Sequence, residues 1–584
     1  MLRNIRSYFY NFKKYQKPLE KYVFPVILLF YPLVGVNAGL DISDTTYSLA
    51  NYEFISGLNP MWLLSTFLSN VTGAAIMHLP GAGSMLGFGI YCSFIISAIA
   101  LISYYMLQDY MPGWMNFIGI FIAESLCWCP RVSLYNYLTY LFFTLASMIL
   151  LKGIFLWEGQ NKYLFIAGVL LGLNVMVRFP NIAETALILV LWFYGAVTRD
   201  DIRDILKKTG ICIVGFVSGA AVIFFIISII HGPTAYLDMI ASLFGMTSGA
   251  SDYTTGGMMS AIIEAYIGTA SDMLILVPCI AAGIVMFVIK PDKYVWIKKL
   301  LYVCGLCILV RYYFAEGVFT RNYYYYDSVF KAAMMLIIIA FVLGVIGSLG
   351  ILNGSRQEQT LSFLMVMIIL ITPLGSNNYT YPIINNLFLI APIALWIMRR
   401  LMQRLGEKEL HFTWQSTITM VIVVLLIQGV FFRINFSFMD GADGQQRDTV
   451  MSGIPKVDHM VTTSYNADSL NELGRFLEDN DLLKENVILF GGVPGLSYIF
   501  DLQPAIDTVW PDLDSYSTDT FDKELIRLSV SDDPEPLIIV GSNVQEYANI
   551  SRKFDILLDY IANHDYNIDF ENERFTVYVK NSDE

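Results

Sequence analysis

Long apolar segments dominate the first three quarters of this sequence and set it apart from a more polar end. A helix needs about 20 apolar residues to cross a bilayer. Segments of helix length recur as far as Arg433, which predicts a polytopic α-helical membrane protein. The segment 60–80 contains many small residues and suits a helix lying along the membrane surface. Without it, about thirteen membrane-spanning helices are expected. The apolar segments lie near residues 22–39, 60–80, 84–107, 114–129, 133–151, 163–178, 180–197, 209–231, 272–290, 299–314, 329–352, 361–374, 383–398 and 416–433.

From about residue 435 the pattern becomes that of a small α/β domain. Apolar residues at helical spacing predict helices over 469–480 and 545–563. The runs 486–490 and 536–540 are short, apolar and followed by glycine, which is typical of buried strands. Alternation of apolar and polar residues over 565–580 predicts a β-hairpin. We therefore expect a transmembrane domain over residues 1–434 and an α/β domain over residues 435–584.

Charge divides the chain at the same place. The 584 residues carry a formal net charge of −13, yet the part from Asn435 onward contains 29 acids and only 10 bases. The membrane part is therefore mildly basic, and the C-terminal domain is strongly acidic. Such a domain is unsuited to binding nucleic acid. The expected partners are membrane lipid and the substrates considered below.

The distribution of Lys and Arg predicts how the chain crosses the membrane. If the N-terminus is cytoplasmic and residues 60–80 do not cross, most of these bases face the cytoplasm, as the positive-inside rule requires. We therefore expect a multi-pass protein of the cell membrane with an extracytoplasmic C-terminal domain. A secretory signal cleaved after Ala38 is the alternative for the first apolar segment. The few bases then left on the outer face, before Arg433 at the last exit, are Arg131, Arg178, Arg311, Arg321 and Lys331.

An acidic stretch, residues 39–54, directly follows the first apolar segment. It contains Asp41, Asp44 and Glu53 and has no Lys or Arg. Carboxylates at a membrane surface need water or a positive partner. Asp44 is therefore either a catalytic base or an ordinary helix cap or solvated loop acid.

Other polar residues near the outer ends of the spans supply further candidates. Glu124 and Glu184 fall within apolar segments, where an acid faces a cavity or pairs with an Arg. The outer cations either anchor lipid headgroups and pair with acids, or form a shared pocket for a lipid phosphate. The planar fork of Arg suits phosphate. The uncharged loop 374–386 contains Asn377 and Asn378, which either bind sugar hydroxyls or simply form a turn.

The cysteines and glycines give no sign of a metal or nucleotide site. All seven cysteines lie in apolar segments, so no disulfide is expected in the C-terminal domain. The pair Cys127 and Cys129 lacks the second pair of ligands that a tetrahedral metal site needs. The turn at Gly491 and Gly492 lacks the Lys-Ser/Thr ending of a phosphate loop. Nothing in the sequence requires a metal or another cofactor.

Several short motifs resemble those of the GT-C class of integral membrane glycosyltransferases. DISDTTY (41–47) resembles the first-loop Asp motif of that class, and VRFPN (177–181) resembles an Arg-x-Pro-Asn turn of bacterial members. GSNN (375–378), with PGLSYIFD (494–501) and WPDLDSY (510–516), resembles a bacterial branch without well-defined substrates. Many relatives have adjacent Asp and Glu in the first loop, whereas Thr45 follows Asp44 here. Asp44 and Asp41 therefore both stay open as the base.

The resemblance implies a function in building the cell envelope. Such enzymes move a sugar from a polyprenyl-phosphate carrier to a glycan, lipid or protein acceptor and invert the anomeric centre. Asp44 is the preferred base, ahead of Asp41 and Glu124. The candidates for the donor phosphate are Arg131, Arg178 and Arg321, with Arg311 and Lys331 beside them. The candidates for contacts with sugar or acceptor are Tyr47, Asn181, Asn377 and Asn378.

Two other functions stay open. A transporter or flippase of lipid-linked sugars is expected to show paired repeats with interrupted helices, and no clear internal repeat is present in the sequence. A non-catalytic assembly protein of the envelope would keep its function after the loss of both Asp41 and Asp44.

Overall fold

The computed structural model shows a helical body followed by a small sheet-containing domain. It describes residues 15–156, 158–248, 255–289, 293–325, 327–352, 354–376, 378–404, 408–440, 445–531, 534–542 and 548–580. The α-helices of the body are α1 (Phe24–Phe30), α2 (Asp44–Glu53), α3 (Pro60–Ser65), α4 (Phe67–Met77), α5 (Met85–Leu107), α6 (Gly113–Leu126), α7 (Leu134–Phe155), α8 (Gln160–Val177), α9 (Leu189–Thr198), α10 (Ile202–His231), α11 (Ala235–Ser248), α12 (Thr255–Met273), α13 (Leu276–Val288), α14 (Val295–Ala315), α15 (Phe330–Ser348), α16 (Arg356–Ile371), α17 (Tyr381–Asn385), α18 (Leu387–Arg404) and α19 (Lys408–Asn435).

The helical membrane body predicted from the apolar segments is confirmed. Within the described ranges, eight helices are long and apolar enough to cross a membrane. The count of about thirteen spans stays a prediction, because several predicted spans form shorter helices. The first is divided into α1 and the 3₁₀ turn Tyr31–Leu33. The segment 60–80 forms α3 and α4, and neither helix has the length that a span needs.

Glycines allow two of the long helices to pack closely. A Cβ atom added at Gly168 of α8 would lie 2.1 Å from the Cys212 carbonyl oxygen of α10. One added at Gly215 of α10 would lie 2.2 Å from the Phe165 carbonyl oxygen of α8. Small residues at a helix interface bring backbones together and strengthen dispersion contacts where lipid offers no hydrophobic driving force. The pair α8 and α10 therefore forms a fixed part of the body.

The C-terminal domain is built on a four-stranded sheet. Its strands are β3 (Val487–Phe490), β4 (Leu537–Gly541), β5 (Tyr566–Glu571) and β6 (Phe575–Lys580), after a short ladder of β1 (Thr449–Val450) and β2 (Val461–Thr462). The order is β3-β4-β6-β5, with β3 parallel to β4 and the other pairs antiparallel. Both apolar runs predicted as strands, and the hairpin β5–β6, are confirmed. The helices are α20 (Ser464–Asp479), α21 (Leu496–Phe500), α22 (Thr518–Ser529) and α23 (Ala548–Asn563).

The C-terminal domain is joined by backbone hydrogen bonds to the segment of the body between α1 and α2. The Gly39 amide donates to the Val461 carbonyl at 2.8 Å, and the Val461 amide donates to the Asn37 carbonyl at 2.7 Å. The Gly495 amide, in the turn after β3, donates to the Ile42 carbonyl at 2.9 Å. Buried side chains of the two parts also share one apolar cluster. The acidic stretch is therefore held between the membrane body and the C-terminal domain.

Candidate functional site

Asp41 fixes the backbone at the start of α2. Its Oδ1 accepts hydrogen bonds from the Ser43 amide at 2.8 Å and the Ser43 hydroxyl at 2.5 Å. Its Oδ2 accepts from the Thr45 amide at 2.7 Å. An acceptor at this position satisfies amides that a helix start leaves free. Burial raises the pKa of Asp41, and the hydrogen bonds from Ser43 and Thr45 act in the opposite direction.

Asp44 is the first residue of α2 and differs from Asp41 in its surroundings. Its side chain is exposed, and no hydrogen bond to its carboxylate is found in the described part of the chain. Although part of its surface is open to solvent, the protein atoms packed around the carboxylate desolvate it, and together with the nearby charge of Asp41 this raises the pKa of Asp44 to about 7. Asp44 also lies close enough to the buried Cys129 to act electrostatically on its thiol. A carboxylate with these properties is available to accept a proton near neutral pH.

A cavity of about 80 Å³ is lined by Asp41 and by Thr45, the residue after Asp44, whereas Asp44 is not among its lining residues. Its walls come from the segment between α1 and α2 with the first turn of α2, from the start of α5, from the loop after α6, from the end of α19 with the residues that follow it, and from Met460 in the C-terminal domain. Five separate parts of the chain therefore meet at one place, as in a ligand site built at a domain boundary. The polar and aromatic residues that line it include Asp41, Thr45, Trp128, Arg131 and Arg433.

Two guanidinium groups line this cavity and are held by the same short segment. Arg131 donates to the Gly35 carbonyl at 2.8 Å and the Val34 carbonyl at 2.6 Å. Arg433 donates to the Pro32 carbonyl at 2.6 Å and the Cys127 carbonyl at 3.3 Å. Within the described ranges, the Nε atom of each Arg is buried without a hydrogen-bond partner. Backbone carbonyls therefore fix both guanidinium groups. The Nε–H donor of each remains available to a ligand.

The two Arg side chains repel each other. Burial lowers the pKa of Arg131, and the charge of Arg433 lowers it further. An Arg nevertheless stays cationic in a protein. Neither side chain has an ion-pair partner within 4.0 Å among the residues that the structure describes. An anion placed between them would offset this repulsion.

The backbone of the cavity wall is positioned by the loop predicted to bind sugar. The Asn385 side-chain oxygen accepts from the Trp128 amide at 2.9 Å and the Cys129 amide at 3.0 Å. Asn385 is buried, and so are Cys127 and Cys129. The segment 374–386, predicted as a loop, therefore contributes to the site through Asn385 at the end of α17, which fixes the segment that carries Arg131.

The other predicted acids lie away from the cavity lining. Glu124 is buried in α6, and neither carboxylate oxygen has a hydrogen-bond partner within the described ranges. It lies within electrostatic reach of Arg433. Glu184 is buried at the start of the Phe179–Thr198 span and accepts a hydrogen bond from Asn174. Asn181, predicted as a substrate contact, is also buried there and donates to the Thr139 hydroxyl at 2.7 Å.

The remaining predicted cations are dispersed and are not among the residues lining this cavity. Arg178 lies over the Tyr135 ring at 5.7 Å and donates to the Gly375 carbonyl at 3.3 Å. Arg311 is exposed on α14. Arg321 is exposed over the Phe314 ring at 5.5 Å. Lys331 pairs with Asp272 at 2.9 Å.

The predicted substrate contacts in loops fall in different surroundings. The ring of Tyr47 lies 5.2 Å from that of Trp510, which belongs to the C-terminal domain. Asn378 is exposed, and its carbonyl accepts from the Tyr381 amide at 3.0 Å. Asn377 lies outside the described residues. Among those residues no group of three or more His, Cys, Asp or Glu side chains is placed to hold a metal ion.

No protein-family model and no curated protein matches this sequence. Among solved structures, the chain is similar to the oligosaccharyltransferase of Archaeoglobus fulgidus. The structure with Zn and sulfate is 11% identical with a TM-score of 0.46, over 89% of this chain and 67% of that one. The structure tethered to an acceptor peptide with the NVT sequon is 11% identical with a TM-score of 0.49, over 98% and 74%.

The chain is also similar to ArnT from Cupriavidus metallidurans. The identity is 10% and the TM-score is 0.41, over 95% of this chain and 96% of that one.

Proposed function

We propose that this protein is a membrane glycosyltransferase that moves a sugar from a polyprenyl-phosphate carrier to a cell-envelope acceptor at the outer face of the membrane. The observation that carries the proposal is the cavity shared by Asp41, Arg131 and Arg433, with Asp44 at the adjoining start of α2. This arrangement combines a carboxylate that can accept a proton with two guanidinium groups that can bind a phosphate.

The reaction needs a base for the acceptor. The acceptor hydroxyl attacks the anomeric carbon of the donor sugar and forms the new glycosidic bond. Its proton passes to the Asp44 carboxylate, whose pKa of about 7 matches that task at neutral pH. A single displacement of this kind inverts the anomeric centre. Asp41, already engaged by Ser43 and Thr45, sets the position of Asp44 and adds negative charge beside it.

The reaction also needs stabilisation of the leaving group. The bond between the anomeric carbon and the phosphate oxygen breaks, and its electron pair leaves with the polyprenyl phosphate. Negative charge then develops on that oxygen, and preorganised cations lower the barrier most when they are fixed before the reaction. Arg131 and Arg433 are fixed in this way by the carbonyls of Pro32, Val34 and Gly35.

The proposal is tested with the full chain in lipid nanodiscs. The donors are undecaprenyl-phosphate monosaccharides labelled in the sugar, and the acceptor is a cell-envelope fraction from the source organism. We expect one labelled donor to yield labelled envelope material and an equal amount of undecaprenyl phosphate. Transfer of no label from any donor in the panel would contradict the proposal. Movement of intact donor across liposomes with no bond broken would replace it with transport.

A further inference from the structure

The C-terminal domain places an aromatic side chain against the helix that carries the proposed base. The rings of Tyr47 in α2 and Trp510 in the segment 507–516 lie 5.2 Å apart, with their planes at 70°. Both side chains are only partly buried. In such an edge-to-face arrangement the edge of one ring contacts a single face of the other, so the pair does not bury all of its ring faces between the two side chains. The pair therefore offers an accessible aromatic surface.

This surface belongs to the same side of α2 as Asp44. Residues three and seven positions apart share one face of a helix. Asp44, Tyr47 and Asn51 follow that spacing and are the exposed or partly buried positions from 44 to 51, whereas the residues between them are buried. The accessible face of α2 therefore presents first the carboxylate and then, one turn later, the Tyr47 ring with Trp510 beside it.

Hydrogen bonds hold the segment that carries Trp510 in place. The Asn59 side-chain Nδ2 donates to Asp507 Oδ2 at 2.6 Å, and the Asn59 backbone amide donates to the Asp507 backbone carbonyl at 2.8 Å. The Tyr516 hydroxyl donates to Asp507 Oδ1 at 2.6 Å. Asp507 thus connects the membrane body to the C-terminal domain, three residues before Trp510. The backbone close to Trp510 is therefore ordered before a ligand binds, which lowers the ordering cost of binding.

We propose that Trp510, with Tyr47, forms the subsite for a sugar ring of the reaction, and that the C-terminal domain thereby completes the site. This inference rests on the proposed function. A pyranose has one face made largely of C–H groups, which packs on an aromatic ring, while its hydroxyls point sideways towards polar groups such as Asp44. The ring belongs either to the donor sugar or to a glycan acceptor.

Steady-state transfer by the full chain in nanodiscs tests the subsite, using the labelled donor and envelope fraction above. We expect Trp510→Ala to raise one KM by about tenfold, the scale of a lost contact with an aromatic ring. Trp510→Phe should recover most of the affinity. A change confined to the acceptor KM places the ring in the acceptor, and a change confined to the donor KM places it in the donor.

A matched control separates this role from general stability of the domain. Phe570 pairs with Phe476 at 4.9 Å within the C-terminal domain, and Phe570→Ala should leave both KM values within about twofold. If Trp510→Ala transferred sugar at the wild-type rate with unchanged KM values, the subsite would be overturned and the proposed function would stand. Absence of transfer by the wild-type chain would refute the proposed function, and the subsite with it.

Discussion

The Asp41 carboxylate accepts a hydrogen bond from the backbone amide of Thr45 at 2.7 Å, across the start of α2. This contact assigns the capping task to Asp41 and not to Asp44, although both acids precede or begin the same helix. Asp41 is buried with its two oxygens engaged, whereas Asp44 is exposed at the helix start. The two acids of the first-loop motif therefore have different physical roles, and this difference can be tested.

We expect Asp44→Asn to reduce transfer by about 10² to 10⁴, the usual contribution of a positioned base. The amide is nearly isosteric but does not accept the proton of the acceptor hydroxyl. Release of undecaprenyl phosphate from labelled donor measures the effect, and binding of undecaprenyl phosphate alone should be unchanged. Asp44→Glu serves as the conservative control and should keep more activity. A normally inserted Asp44→Asn protein with wild-type transfer would exclude Asp44 as the base.

The pH dependence of transfer follows from the raised pKa of Asp44. Only the deprotonated carboxylate accepts a proton, so kcat/KM should rise as the pH increases through about 7 and then level off. Desolvation is the main cause of the shift and the charge of Asp41 adds to it. Asp41→Asn should therefore move the rise to lower pH without abolishing it. A rise centred near the ordinary pKa of an Asp, or a profile unaffected by Asp41→Asn, would contradict this assignment.

Removal of the cavity cations should weaken donor binding. A hydrogen bond to a charged group contributes about 1.5–3 kcal/mol, so Arg433→Gln should raise the donor KM by about 10- to 100-fold. Arg131→Gln should act in the same direction, because both guanidiniums line the cavity. Arg321→Gln is the matched control, because Arg321 is exposed over the Phe314 ring. The donor KM of this variant should stay within about twofold of the wild-type value. If the donor KM of Arg131→Gln and Arg433→Gln were the same as that of Arg321→Gln, a phosphate between Arg131 and Arg433 would be excluded.

Those parts of the fold that depend on local pattern could be predicted from the sequence. The apolar runs 486–490 and 536–540 became β3 and β4, because continuous apolar stretches bounded by glycine are buried on both faces of a sheet. Alternation over 565–580 gave the hairpin β5–β6. The absence of bases around Asp41 and Asp44 singles out residues 39–54, and part of that stretch lines the cavity.

The composition of the cavity could not be predicted in the same way. The sequence marks Arg433 only as a base at the last exit, because its hydrogen-bond partners Cys127 and Pro32 are 306 and 401 residues away in the chain. Packing over such distances leaves no periodic signal around the residue. For the same reason nothing near Arg178 or Arg321 indicated that they would lie apart from Arg131. The contact of Trp510 with Tyr47 likewise joins segments that no local pattern relates.

The turn after β3 supports the acidic segment from the side of the C-terminal domain. A Cβ atom added at Gly495 would lie 1.8 Å from the Thr46 hydroxyl oxygen and 2.7 Å from the Ile42 carbonyl oxygen. The same Thr46 hydroxyl donates to the Asp41 carbonyl at 2.9 Å. A methyl group at this position therefore forces the turn away from the segment that Asp41 and Asp44 occupy.

We expect Gly495→Ala to cost about 1–3 kcal/mol of stability, the usual effect of overpacking, and to lower transfer by displacing the base. Differential scanning fluorimetry and the transfer assay measure the two effects on the same preparation. Gly57→Ala is the control, because a Cβ atom there meets no atom within 4 Å. If the C-terminal domain merely adjoined the site, Gly495→Ala would lower the melting temperature but leave kcat at the Gly57→Ala level. A fall in kcat at temperatures where the protein is fully folded would show that this turn positions the acids.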